Sequence, residues 1–248
     1  MEFRQSDRIA MKTLKYHTTH PYPCGYLPDR MARSEVVAAE HIIDTETYAE
    51  LMHHGYRRSG RFVYRPQCEQ CRACLSVRIN VDAFDPNRAQ RRCWKKHQHL
   101  TARQHKLHFD RKHFELYQRY QAKRHTDDGM AQDNHGQYQN FLLQSHINSS
   151  LITFHEREDL RMVSIIDLLP AGISSVYTFY DPDIGQASFG TYNVLWQVQL
   201  CRALGLKYLY LGYWIKEHHK MNYKASFQPL EILINGRWLP FEQAATNY

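Results

Sequence analysis

Hydrophobic positions recur along this chain with two periods, and the strand period is clearest in the second half. LITFHE (151–156), LRMVSIIDLL (160–169) and ISSVYTFYD (173–181) are rich in β-branched and aromatic residues, with Glu158, Asp159, Pro170, Gly172, Asp181 and Pro182 at their ends. Such runs predict three consecutive antiparallel strands. Thr191 is placed to cap a helix through Leu204, with Val194, Leu195, Val198 and Cys201 on one face and Gly205 as its stop. Leu206, Tyr208, Tyr210 and Gly212 then alternate with Lys207, Leu209 and Leu211, which predicts a strand buried on at least one face. A last strand falls near Leu230 to Ile234.

The first half mixes loops with shorter elements. Residues 1–20 show no strong period and fit either a strand or an arm. In YPCGYLPDRMARSEVV, Pro23 and Pro28 bracket Gly25, a fixed loop that presents Cys24, Tyr26, Arg30 and Arg33. Asp44 caps a helix through about Gly55, with Tyr48, Leu51 and Met52 on one face, and a short strand follows around Phe62 to Tyr64. Asn87 caps a second helix through about His99. Thr101 to His108 reads as a strand, and Asp110 caps a helix that carries Phe114, Tyr117 and Tyr120 toward a core. RHTDDGMAQDNHG is a surface loop and candidate lid, with a helix after it around Tyr138 to Gln144. The order of elements predicts an α/β (α+β) fold with a mixed sheet flanked by helices. Residues 1–99 form a smaller, Cys-containing N-terminal region, and residues 100–248 the main domain.

Composition narrows the class. The 248 residues are 43% hydrophobic, enough for a sizeable core, and no apolar run approaches the ~20 residues of a membrane span. The N-terminus is charged from its second residue, so a soluble, cytoplasmic protein without a secretory leader and without a membrane partner is expected. Lys and Arg number 32 against 25 Asp and Glu, a net charge of +7, which favours a polyanion. The charge is segregated: Arg88, Arg91, Arg92, Lys95, Lys96 and His99 share one helix face, with Ala89, Cys93 and Leu100 opposite. Asp110 is the one acidic residue from Arg88 to Lys112, and this stripe is the candidate contact for RNA phosphates.

Six cysteines without a leader point to reduced thiols or metal ligands. Cys68, Cys71 and Cys74 form C-x2-C-x2-C, with Cys24 as a possible fourth ligand to a metal ion or an iron–sulfur cluster. A zinc ribbon needs a second C-x2-C pair, which is missing, so three semi-buried thiols in a turn is the competing reading. Past Gly212 the chain becomes cationic and aromatic: Tyr213, Trp214, Lys216, His218, His219, Lys220, Tyr223 and Lys224 offer cations for carboxylates or phosphates and rings for stacking.

Several long blocks carry a family resemblance: PCGYLPDRMARSEV (23–36), GYRRSGRFVYRPQCEQCRACLSVRI (55–79), RAQRR (88–92), SSVYTFYDPD (174–183), SFGTYNVLWQ (188–197) and YLGYWIKEHHKMNYKASFQP (210–229). In this order they resemble the aminoacyl-tRNA-protein transferases, most closely the bacterial aspartate/glutamate leucyltransferases. The resemblance implies a GNAT-like, acyltransferase-type fold and a role in the N-degron (N-end rule) pathway, moving leucine from leucyl-tRNA to the N-terminal amine of proteins that begin with Asp or Glu. The related arginyltransferases carry C-G-Y-C and an adjacent cysteine pair, whereas this chain has Leu27 and spaced cysteines. The resemblance therefore does not by itself establish an iron–sulfur cluster, and a Cys-bound metal or cluster stays open.

Aminolysis of a charged tRNA starts from an activated ester, so no cofactor and no acyl-enzyme are required, and orientation can supply roughly 7–11 kcal/mol of the barrier. Tyr177, Asp181 and Tyr213 are the catalytic candidates: Tyr177 and Asp181 for orienting the amine, and Tyr213, with Trp214, for stacking on the terminal adenosine of the tRNA or shaping the leucine pocket. Arg30, Arg33, Arg65, Arg78, Trp214, Lys220 and Lys224 are the candidates for holding the acceptor carboxylate and the tRNA end. Arg30, Arg33, Asp181, Tyr213 and Lys224 are expected to line one pocket. Against this, Tyr177 reads equally as a core ring and Arg78 as a structural ion pair. An arginyl-tRNA donor and a non-enzymatic Cys-metal RNA-binding protein remain as alternatives. Coenzyme A is not expected, because the helix opening SFGTYNVLW lacks the glycine pattern that cradles a pyrophosphate.

Overall fold

The computed structural model describes residues 14–124 and 134–244. The start of the chain and most of the candidate lid lie outside the described residues. In chain order the elements of the first part are β1 (Tyr16–Thr18), β2 (Tyr22–Pro23), β3 (Met31–Ala32), β4 (Ser34–Val37), α1 (Thr45–His53), β5 (Arg57–Ser59), β6 (Phe62–Pro66), β7 (Leu75–Asn80) and α2 (Arg88–His97). The second part contains β8 (Thr101–His105), α3 (Arg111–Arg124), α4 (His135–Tyr138, continued by a wider turn at 139–143), β9 (Ser149–Glu156), β10 (Asp159–Leu169), β11 (Gly172–Tyr180), α5 (Phe189–Ala203), β12 (Tyr208–Trp214), β13 (Leu230–Ile234), β14 (Arg237–Pro240) and α6 (Phe241–Ala244).

Eight strands form one mixed sheet in the order β14-β13-β7-β12-β11-β10-β9-β8, flanked by helices as the residue pattern predicts. Strands β9, β10 and β11 are the expected antiparallel meander. Among the described residues the β11–β12 pair alone is parallel, because α5 carries the chain back across the sheet between them. β7 is buried along almost its whole length and lies between β12 and β13, so the expected division at residue 99 cuts through this sheet. An apolar run like LSVRI needs neighbours on both sides, and those come from the far end of the chain. What stands apart is a four-stranded sheet, β1-β4-β6-β5, which packs with α1 through Tyr48, Leu51, Met52 and Val63 against Leu169 and Tyr210 of the large sheet. Helices α3 and α4 cover Val163, Ile165 and Phe179, while α5 buries Val194, Leu195, Val198 and Cys201 against Ile79 and Leu209.

Three boundaries differ from the sequence reading. Helix α5 starts at Phe189, ahead of Thr191, and Ser188 stands before it in the left-handed region at φ 54° without a side-chain cap. Its entry is fixed from outside: Cys93 Sγ, Lys96 Nζ and the His97 ring, all on α2, hold the carbonyls of Ser188, Gln186 and Ala187. Helix α2 ends at His97, its buried residues are Gln90 and His97 with Cys93 and Trp94 half-buried, and Ala89 is exposed. Gln90 explains its burial, since it completes a capping box with Asn87 and donates to Ser226 O at 3.0 Å. β12 does not stop at Gly212 but runs on through Tyr213 and Trp214, paired with Ser76 and Leu75.

Candidate functional site

The site begins where the large sheet opens. β11 and β12 pair over Gly172, Ile173 and Ser174 against Tyr208, Leu209 and Tyr210, and then separate: β11 continues with β10 and β12 with β7. Two glycines make the opening. A Cβ on Gly172 would lie 2.4 Å from Tyr208 O, so only glycine lets the two backbones approach at the closed end. Gly212 sits at φ +83°, where the register against β7 shifts, and a Cβ there would crowd the Arg57 guanidinium at 3.4 Å.

Arg57 occupies the gap, with Nη2 donating to Ser175 O at 2.8 Å. β5 delivers it there because its neighbour Arg58 points to the opposite side, into a bidentate pair with Asp167 at 2.8 and 2.6 Å. Beside Arg57 lies the Tyr213 hydroxyl, which donates to Gly55 O at 3.0 Å. Burial holds that phenol well above its ordinary pKa, with Tyr64 adding to the effect. The turn of 3-10 helix at Asn222–Ser226 then folds Lys224 underneath β12, where its Nζ donates to Tyr213 O and touches Met221 Sδ at 3.3 Å. Burial lowers the Lys224 amine to about pKa 7, Arg57 pushes in the same direction, and Cys74 opposes them. The result is an amine poised to exchange a proton near neutrality.

The Pro23–Pro28 loop returns to this end of β12. Tyr26 packs edge-on against His218 at 5.5 Å, and its hydroxyl is raised by burial and then by Tyr64, Cys74 and Cys24. Burial pushes the Cys74 thiol up to about 12, with Cys24, Cys68 and Cys71 adding to the shift, so the expected cysteines do share one neighbourhood. They do not share one point: among the described residues no group of three or more His, Cys, Asp or Glu is arranged to hold a metal ion. Four thiols are a suitable donor set for zinc or a cluster, but this arrangement does not fit one, and no chemical step is assigned to it. Next to them, Arg72, Ala73, Leu75, Trp214, Lys216 and Glu217 line a cavity of about 210 Å³, and the Trp214 indole Nε1 is buried without a hydrogen-bond partner among the described residues.

Of the residues expected in one pocket, the structure brings Tyr213 and Lys224 into contact, with Arg30 on the same rim, where it donates to Cys71 Sγ at 3.3 Å. Asp181 is not with them. Its carboxylate pairs with Arg161 at 3.4 Å and Arg119 at 3.5 Å and accepts from the Asp183 amide, which fixes the β11 end. Tyr177 lies among Tyr117, Phe141 and Phe179 and donates to Gln121 Oε1, which is the core-ring reading. Arg33 pairs with Glu69 and Arg65 with Glu35. Arg78 pairs with Glu231 at 2.6 Å and stacks under Tyr208 and Trp238, which is the structural ion pair considered above. Among the described residues, Arg30 is thus the one of these four arginines without a carboxylate in salt-bridge contact, with Glu217 acting on it from further off. Lys220 is half-buried in the segment after β12.

The basic face of α2 forms as expected, with Arg88, Arg91, Arg92, Lys95 and Lys96 all exposed. Two are engaged locally, Arg91 with Pro86 O and Asp85 and Lys96 with Gln186 O, while Arg88, Arg92 and Lys95 have no ion-pair partner among the described residues. Sequence reasoning missed Arg57 and the roles of Gly172 and Gly212. The Arg57–Arg58 doublet inside the block at 55–79 was the available signal, but nothing local shows that alternate residues of one short strand reach opposite sides of a sheet opening.

Two family models and several named proteins match most of this chain. The family model described as the N-terminus of arginine-tRNA-protein transferase matches residues 22–92, and the one described as its C-terminus matches residues 112–234. A protein named aspartate/glutamate leucyltransferase from Nitrosospira multiformis is 58% identical over 230 residues, covering 93% of this chain and 92% of that one. Its namesake from Polynucleobacter asymbioticus is 48% identical over 236 residues, covering 93% and 95%. Among solved structures, the crystal structure of FemX is similar at a TM-score of 0.49 and 5% identity, over 91% of this chain and 87% of that one.

Proposed function

The chain belongs to the arginine-tRNA-protein transferase family of aminoacyltransferases, and we propose that it moves leucine from leucyl-tRNA to the N-terminal amine of proteins beginning with Asp or Glu. The observation that carries this reading is the 48–58% identity, over 93% of this chain, to proteins named for that activity. In this reading the enzyme is cytoplasmic and acts in the N-end rule pathway. Leucine is favoured over arginine as the donated residue by the names of these relatives.

The site supports direct aminolysis. The acceptor's α-amine has an ordinary pKa near 7.7–8.0 and is partly free at neutral pH, yet attack on the ester leaves a proton to be removed. Lys224 is the proposed proton acceptor, because burial lowers its pKa to about 7 and brings its neutral form within reach near neutral pH. Arg57 and the opened strand ends offer donors to the developing oxyanion, and the Trp214 cavity would take the leucyl side chain or the tRNA's terminal ring. No cofactor is invoked, because the ester supplies the driving force.

Arg30 is the proposed reader of the acceptor carboxylate. Arg30→Ala should raise KM for an Asp-initiated peptide about tenfold with kcat little changed, the pattern for an interaction made equally before and during reaction. The same peptide begun with Asn should behave alike in wild type and variant. On α2, the triple replacement of Arg88, Arg92 and Lys95 by Ala should reduce the slope of log affinity for tRNA against log salt by about 2–3. An unchanged slope would remove α2 from the tRNA path.

The reading as a whole is tested by incubating the protein with leucyl-tRNA and, separately, arginyl-tRNA and an Asp-initiated peptide, then weighing the peptide. Addition of one leucine from leucyl-tRNA alone is expected. Arginine addition would move the chain to the other donor, and no addition from either would overturn the assignment.

A further inference from the structure

Beside the exposed cations of α2, between that helix and α5, lies a cavity of about 240 Å³ that plays no part in the cleft. Its floor is Phe84, Trp94 and Leu195, and its rim is Arg91, Lys95 and Gln199. We propose that this cavity receives one unstacked nucleobase of the tRNA, an inference that rests on the donor reading above.

The volume falls below the roughly 300–1,000 Å³ of sites for drug-sized ligands, so it suits a single ring system. The floor is suited to a flat guest. Phe84 and Leu195 are buried, and Trp94 is held at 5.4 Å and 34° to Tyr192, so its ring meets a guest without first being ordered. Unpaired bases are recognised in this way, stacked on aromatic rings and guanidinium planes with their edges hydrogen-bonded. Gln199, exposed on α5, carries both a donor and an acceptor for such an edge. Arg91 is fixed by Pro86 O and Asp85 at the rim, and Lys95 lies one helical turn further along.

Charge selects the occupant. An apolar side chain from a protein partner would bury the Lys95 ammonium with nothing opposite it, whereas a base brings its own phosphates to Lys95 and, around the helix, to Arg88 and Arg92. The cavity is also coupled to the cleft: Gln90 on α2 donates to Ser226 O, two residues beyond Lys224, so a base seated here registers the tRNA against the transfer site.

The test uses the full chain and fluorescently labelled tRNA, with affinity measured by anisotropy over a range of salt. Gln199→Phe fills the cavity from its rim, and Trp94→Leu removes the stacking wall but keeps it apolar. Each should weaken binding about tenfold, within the range for loss of one base–aromatic stack, and leave the salt slope at its wild-type value because the phosphate contacts remain. Thermal melts show whether Trp94→Leu folds, and if it does not, Gln199→Phe decides alone. Wild-type affinity for a folded variant at every salt would overturn the proposal. So would a loss of affinity that comes with a shallower slope, which would mean that the cavity only borders the phosphate path. Failure of the wild-type protein to bind tRNA at all would instead sink the donor reading.

Discussion

Lys224→Met is expected to cut leucine transfer about 10²-fold while making the folded protein more stable. The rate effect is placed at the low end for a positioned base, because part of the acceptor amine is already deprotonated without help. The stability effect follows from the direction of the pKa shift. Folding lowers the Lys224 amine to about 7, so the unfolded chain holds more protons there than the folded one between pH ~7 and its ordinary pKa near 10.4. The native state therefore carries a penalty that is absent above pH ~10, grows as pH falls, and is complete below the folded pKa of about 7. Removing the amine should return on the order of 2–4 kcal/mol at pH 7, less than the shift alone implies because the contacts to Tyr213 O and Met221 are lost too. The gain should fade toward pH 10. Denaturant titrations at pH 7 and pH 10, with single-turnover transfer assays, measure both halves. In the wild type the rate should rise through pH ~7, and in Lys224→Met the remaining rate should follow the acceptor amine near 7.7–8.0. Unchanged transfer by a stabilised variant would make Lys224 a packing residue.

The second large effect is structural. Asp167→Ala should destabilise the protein by about 3–5 kcal/mol, because it leaves the Arg58 guanidinium buried and unpaired. The two side chains are 1% and 0% exposed, and Ser149 Oγ also donates to the same carboxylate at 2.6 Å. Burial is the largest influence on Arg58 and works against its charge, and Asp167 more than offsets it. The pair fastens β5 to β10, and β5 also carries Arg57, so loss of Asp167 should loosen the floor of the cleft as well as the fold. Replacing both partners by Leu should restore much of the stability, since paired removal leaves no stranded charge. Urea denaturation of the two variants separates these outcomes, and equal loss in both would show that packing, not charge burial, sets the cost.

How much of this was legible in the chain depended on range. Strands β9, β10, β11 and β13, helix α1 with its Asp44 cap, and the Asp110 cap of α3 follow from apolar period and side-chain capping within a few residues, and each formed where expected. The basic face of α2 was legible for the same reason, since helix geometry alone puts those cations on one side. Gly212 misled because a glycine after an apolar run looks like a strand end, whereas here the partner strand β7 continues and the glycine absorbs a register shift. Asp181 was expected in one pocket with Arg30, Arg33, Tyr213 and Lys224, and no local signal in its strand shows that it lies elsewhere. Asp181 turned out to face Arg119 and Arg161, neither of which is near it in the chain.

By itself, then, the sequence determined the elements, the basic helix and the family, all set by local periodicity or by long ordered blocks. The tertiary structure decided which of the chemically suitable residues meet. It matched Arg33, Arg65 and Arg78 with carboxylates in salt-bridge contact and left Arg30 outside such contact, put Arg57 into the sheet opening, and buried Lys224 under β12. The reason is that charge pairing and desolvation depend on neighbours up to more than a hundred residues away along the chain, which no window of residues contains.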